Sequence, residues 1–177
     1  MVFLALFMSS CKKNPEIGEE SCPYVVCSYT IGGVNISFIS LFFELNPTCD
    51  EAYVVTPRGH YYGNYLFYNI ITLSIPSHLY YKGRDYTVTR IEHETFSGLE
   101  LDTLIIPNTV VSIDSDAFGS CRIANLICMA ATPPVIESSY YESFDCSFQS
   151  IYVPNESVDK YKCAHGWFRY ADIIVGY

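Results

Sequence analysis

Leu73-Ser-Ile75-Pro76 returns as Leu104-Ile-Ile106-Pro107 and again as Ile151-Tyr-Val153-Pro154, so the chain writes one structural phrase several times. Between these strands, Val88-Thr-Arg-Ile91-Glu-His-Glu-Thr-Phe96-Ser-Gly98 is rewritten as Val110-Val-Ser-Ile113-Asp-Ser-Asp-Ala-Phe118-Gly-Ser120, offset by 22 residues throughout. A fixed period in the twenties marks a solenoid, in which each unit buries its apolar side only by stacking on a neighbour. The pattern predicts a β-rich solenoid: a short repeat array over residues 73–154, an N-terminal β cap over 22–72 and a C-terminal helical cap over 155–177.

Each unit opens with a short strand that a proline ends, because proline offers no amide to the ladder. A turn leads to a second apolar point at Ile91 or Ile113, and a further turn brings Phe96 or Phe118 inward. The first unit carries an insertion, Tyr80-Tyr-Lys-Gly-Arg-Asp-Tyr86, with Lys82-Gly83 as its turn; it stretches the strand-to-strand spacing from 22 to 31 residues. Leu126 opens the next strand, Ile151 follows 25 residues later, and Thr132-Pro-Pro134 breaks the pattern before Phe144 restores it. Upstream, Tyr24–Ile31 and Val34–Leu41 flank Gly32-Gly33, a hairpin signal, and Ala52–Val55 and Tyr65–Tyr68 read as further strands. Downstream, Asn155 reads as the N-cap of a short helix that turns Val158, Tyr161 and Cys163 or Ala164 to the core and stops at Gly166. Trp167-Phe168 and Ile173–Val175 then seal the last unit, Trp167 as a plug rather than a ligand platform.

The N-terminus reads as a leader. The apolar run Val2–Met8 is shorter than the about 20 residues a spanning helix needs and ends in Ser9-Ser10-Cys11, as the core of a secretory signal does. Cys11 after small residues resembles the bacterial lipobox, which implies a lipidated Cys11, although Met8 stands where Leu is usual and no Lys or Arg precedes the run. Residues 1–11 are therefore expected to be a lipoprotein signal and 12–21 a flexible tether. The formal net charge of −9 and ten scattered basic residues argue against nucleic acid, because phosphate binding needs clustered Lys and Arg. Of eight cysteines, no two have C-x-x-C spacing, and no Cys/His spacing suits zinc. They read mainly as packing residues, with room for one disulfide in the N-terminal part.

Ile106-Pro107-x-x-Val110-x-x-Ile113-x-x-x-Ala117-Phe118-x-x-Cys121 resembles the BspA-type leucine-rich repeat of surface and secreted proteins from Gram-negative gut and oral anaerobes. Tyr81-Lys-Gly-Arg-Asp-Tyr86-Thr-Val88-Thr-x-Ile91 is similar to that family's first repeat. Thr132-Pro-Pro134, Val158-x-x-Tyr161, Gly166-Trp167 and Ile173-Ile174 are similar to its ending. The resemblance covers about residues 52–177. It implies extracellular display and binding of host or microbial proteins without catalysis, with no catalytic residues to carry over and no cofactor.

The residues support that expectation directly. His60, His78, His93 and His165 lie in four segments, and neither H-E-x-x-H nor G-x-S-x-G occurs. Cys163 and His165 stand two apart, where a helix turns them to different faces. The period aligns Glu92 with Asp114 and Glu94 with Asp116, two small acidic ladders. Carboxylate pairs suit calcium, but these turns lack the Gly- and Asp-dense pattern of dedicated calcium repeats and read as solvated acids, so no metal is expected. The adjacent pairs Tyr61-Tyr62, Tyr80-Tyr81 and Tyr140-Tyr141 are the candidate binding residues, since one member of a pair in a strand faces outward. The expected protein is thus an exported lipoprotein, anchored in the outer membrane through Cys11 and facing the cell surface. Its partner is expected to be a host or microbial surface protein; a glycan ligand, or a purely structural envelope role, is the alternative.

Overall fold

The computed structural model describes residues 24–31, 34–55, 72–137 and 146–177, with side chains from Leu41 onward. The repeat phrase folds as the spacing predicts. Strand β4 (Thr72–Ser74) pairs in parallel with β7 (Glu100–Ile106), β7 with β9 (Cys121–Cys128), and β9 with β11 (Cys146–Val153). Register aligns Leu73, Leu104, Leu126 and Ile151 side by side, all fully buried. Strands β7 and β11 end directly before Pro107 and Pro154.

The second apolar point builds a second sheet. Strand β3 (Glu51–Val55) pairs in parallel with β6 (Arg84–Ile91), β6 with β8 (Ser112–Asp114), and β8 with β10 (Val135–Glu137). Here Val54, Ile91, Ile113 and Ile136 form the aligned row. The row begins at β3, so residues 51–55 already stack as a rung although the Leu-x-Ile-Pro phrase has no copy there. Strands β1 (Tyr24–Ile31) and β2 (Val34–Asn46) extend this sheet as an antiparallel hairpin with Ile31 opposite Val34, as the Gly-Gly signal predicts. Strand β5 (His78–Tyr81) folds back on β6 across Lys82-Gly83, whose φ values of 49° and 80° suit a two-residue hairpin turn.

The two sheets enclose one apolar core. The turn after each second strand delivers Phe96 and Phe118 to it, stacked with ring centroids 5.4 Å apart, and Phe148 meets Phe118 edge-on at 6.2 Å. Phe96 and Phe118 follow the 22-residue period, whereas Phe148 reaches the same stack from strand β11.

One disulfide stands where the sequence did not point, one local expectation is corrected, and Cys22 and the side chain of Cys27 lie outside the described residues. Cys121 and Cys146 form a disulfide with Cα atoms 5.0 Å apart, far from the N-terminal part. The physical reason is register: β9 and β11 place Cys121 directly beside Cys146 on neighbouring rungs. Cys49, Cys128 and Cys163 are free. Asn155 is not a helix N-cap. It opens a single 3-10 turn, Asn155–Ser157, and helix α1 (Val158–Cys163) starts after it without a side-chain cap. Its carboxamide oxygen stands beside Gly176 of strand β12 (Ile174–Gly176), where a Cβ would clash with it.

The remaining C-terminal expectations hold in part: Trp167 and Ile174 seal the last rung, but Phe168 and Val175 face solvent and α1 ends at Cys163, ahead of Gly166. Tyr161 and Trp167 are fully buried and packed edge to face at 5.0 Å. Their polar ends are satisfied: Tyr161 Oη donates to the Ala130 carbonyl and Trp167 Nε1 to that of Pro134, each at 2.9 Å. Gly166, at φ 81°, lets the chain turn against Ile136, and β12 sets Ile174 beside Ile151. Ala164 is partly buried, whereas Cys163 is exposed. Phe144 and the run Tyr65–Tyr68 lie outside the described residues.

Candidate functional site

The insertion of the first unit becomes an outward hairpin. Alternation along β5 buries Leu79 and leaves His78 and Tyr80 outside. Tyr80 is 62% exposed, a large aromatic that this strand turns to solvent. Pairing puts Asp85 directly opposite Tyr80 and Thr87 opposite His78, so these four side chains share one face. His78 Nδ1 lies 3.3 Å from Asp85 Oδ2. Tyr81 behaves differently: it packs against the core, with Lys82 Nζ 5.3 Å from its ring centre. Arg84 anchors the hairpin by binding Asp50 and donating to the Pro47 carbonyl at 2.9 Å, both on the turn between β2 and β3. Of the predicted contact residues, Tyr80 is thus presented and Tyr81 largely withdrawn. Cys11, Tyr61, Tyr62, Tyr140 and Tyr141 lie outside the described residues.

A second polar face runs across the rungs of the same sheet. Arg90 bridges Glu92 and Glu137, and its guanidinium lies 5.6 Å from the Tyr53 ring centre. Ser112 Oγ donates to Glu137 Oε1 at 2.6 Å. Burial pushes the Glu92 carboxyl above its usual range; Arg90 opposes this, and the charges of Asp114, Glu137 and Glu44 reinforce it. The aligned acids of the repeat therefore do share an edge of the molecule. Sequence reasoning missed that His93 belongs with them: its Nδ1 lies 3.7 Å from Asp114 and 3.6 Å from Asp116. The signal was present, since position 93 falls midway between the aligned pairs Glu92/Asp114 and Glu94/Asp116.

No described side chains assemble a nucleophile, base and oxyanion donor. His78 faces Asp85, His93 faces Asp114 and Asp116, and His165 lies beside the Phe168 ring. Burial pushes the Cys128 thiol far up, which makes it a packing group and a poor nucleophile. The arrangement offers surfaces.

A family model for the BspA type leucine rich repeat region matches residues 61–164 in six copies, more than half of the chain. The chain belongs to the BspA-type leucine-rich repeat family. The match begins ahead of Leu73 and runs past Pro154 to the end of α1, so it takes in sequence that the repeated phrase alone does not mark. Leucine-rich repeats of this kind are protein-interaction modules and generally non-catalytic. No curated protein matches the chain significantly. No helix among the described residues is long and apolar enough to cross a membrane.

Proposed function

We propose that this leucine-rich repeat protein is an exported lipoprotein, anchored in the outer membrane through Cys11, that presents its repeats at the cell surface and binds a host or microbial surface protein. The six-copy repeat match carries the reading, because it makes stacked rungs and their loops the working surface. The hairpin β1–β2 at one edge of the repeat sheet and the Tyr161–Trp167 unit after the last rung serve as its caps, covering apolar flanks a solenoid would otherwise expose. The Cys121–Cys146 disulfide is in keeping with an oxidising compartment. Within the described residues, the β5–β6 hairpin is the best-presented contact element, with Tyr80 at its centre.

A glycan is the second reading, favoured by one observation: an exposed ring stands directly opposite a carboxylate, beside an imidazole. A sugar face stacks on such a ring while Asp85 and His78 take its hydroxyls.

The test is binding of the purified full chain to arrays of host extracellular proteins and of polysaccharides, repeated with Tyr80→Ala. The protein reading predicts saturable binding to a protein, weakened roughly five- to thirtyfold by the substitution, as for a contact worth about 1–2 kcal/mol. Saturable binding to polysaccharide alone would transfer the function to the glycan reading. Binding to neither would leave a structural module of the envelope.

A further inference from the structure

We propose that His93, Asp114 and Asp116 form a binding site for a divalent first-row transition ion, with zinc the natural occupant, that ties two successive repeats together. The ligands come from equivalent turns of neighbouring rungs: His93 follows β6, while Asp114 and Asp116 stand 21 and 23 residues later, at the end of β8 and beyond. His93 Nδ1 faces both carboxylates, 3.7 Å from Asp114 Oδ1 and 3.6 Å from Asp116 Oδ2. All three ligand atoms lie within 4.8 Å of one another. Those N···O separations exceed the about 2.7–3.2 Å of a hydrogen bond. They lie close to the roughly 3.3–3.6 Å that separates two ligands of one tetrahedral zinc ion at bond lengths of about 2.0–2.2 Å.

The donor chemistry separates this site from a solvated patch of acids. An imidazole nitrogen with two carboxylate oxygens suits zinc and its neighbours in the first transition row, whereas calcium takes oxygen donors throughout. The side chains of Asp114 and Asp116 are only 23% and 16% exposed, and the first is fixed because its Oδ1 accepts the Asp116 amide at 2.9 Å. The imidazole, 56% exposed, closes over them from the solvent side. Arg90, the guanidinium on this edge, is already bridged to Glu92 and Glu137. Three protein ligands leave the fourth position of a tetrahedral ion to water or to a donor from a bound partner. Aligned acids alone read as solvated turns; the histidine contributed by the neighbouring rung makes them a mixed ligand set.

The experiment is calorimetric titration of the metal-free full chain with zinc chloride, with calcium chloride in parallel, on wild type, His93→Ala and Asp116→Asn. Circular dichroism checks that each variant is folded; the exposure of His93 makes its variant the safer of the two. The proposal expects one zinc site that each substitution weakens by more than about tenfold, since even loss of a residue supporting a ligand costs about 10–100-fold. It also expects a zinc-dependent rise in the melting temperature of wild type that His93→Ala loses. Zinc uptake equal in all three proteins would place the ion elsewhere, at free thiols for example, and overturn the proposal. Absence of zinc uptake, or calcium bound in preference to zinc, would overturn it equally.

Discussion

At the scale of single residues, the repeat can be read as paired solutions to one problem. Gly98 and Ser120 occupy equivalent turns and both have positive φ, 70° and 55°. Glycine adopts that conformation without strain, whereas serine bears a cost of about 1–2 kcal/mol. Ser120→Gly is therefore expected to raise stability by about 0.5–1 kcal/mol in urea unfolding, after glycine's larger entropy loss is counted. Phe118 lies between Phe96 and Phe148 and is fully buried, so Phe118→Ala is expected to cost about 3–5 kcal/mol in the same measurement. Glu92 gives a prediction in pH. Its carboxyl is held above the usual range mainly by burial, so the folded chain binds that proton more tightly than the unfolded chain. Its contribution favours folding below the unfolded carboxylate pKa and is lost as pH rises through the carboxylate range. Glu92→Gln should thus be more stabilising, relative to wild type, at neutral pH than at about pH 4. Partial exposure keeps the gain small, and stability measured at both pH values checks its sign.

At the scale of elements, what the sequence reveals depends on whether an element repeats. Leu73, Leu104, Leu126 and Ile151 align in space as they align in the repeat, because a solenoid converts sequence period directly into strand register. The Lys82-Gly83 hairpin was legible for a different reason, since its turn chemistry is local. The rung at β3 was not legible. Its pairing with β6 rests on Val54 meeting Ile91 across a long separation, with no copy of the repeat phrase to announce it. The disulfide could have been read: Cys121 and Cys146 are 25 residues apart, the same spacing that separates Leu126 from Ile151 on the same two strands. That bond staples β9 to β11, and the Cys121→Ser/Cys146→Ser double variant is expected to lose about 2–4 kcal/mol in equilibrium unfolding. Asn155 misleads because capping propensity is local, while its side chain stands beside Gly176, brought there by the pairing of β12 with β11. The candidate binding face was half legible. Strand alternation predicts that one member of Tyr80-Tyr81 faces outward, but only the pairing of β5 with β6 decides that it is Tyr80.

At the scale of the whole molecule, stacked repeats give a binding protein its rigidity without tying it to one ligand. The rungs share a continuous core, while the insertion hairpin and the acidic edge with His93 vary the surface without disturbing it. A short array offers limited area, so useful affinity at a cell surface would come from many copies acting together. A net charge of −9 works against nucleic-acid and anionic partners and favours those with a basic face. All of this has biological meaning only if the repeats stand outside the cell. The deciding measurement is protease treatment of intact cells, followed by mass spectrometry of the chain and of lipid on Cys11. The account predicts loss of the repeats from intact cells and a lipid-modified Cys11. Full protection of the repeats until the outer membrane is breached would contradict surface display and move the protein to an envelope role inside it.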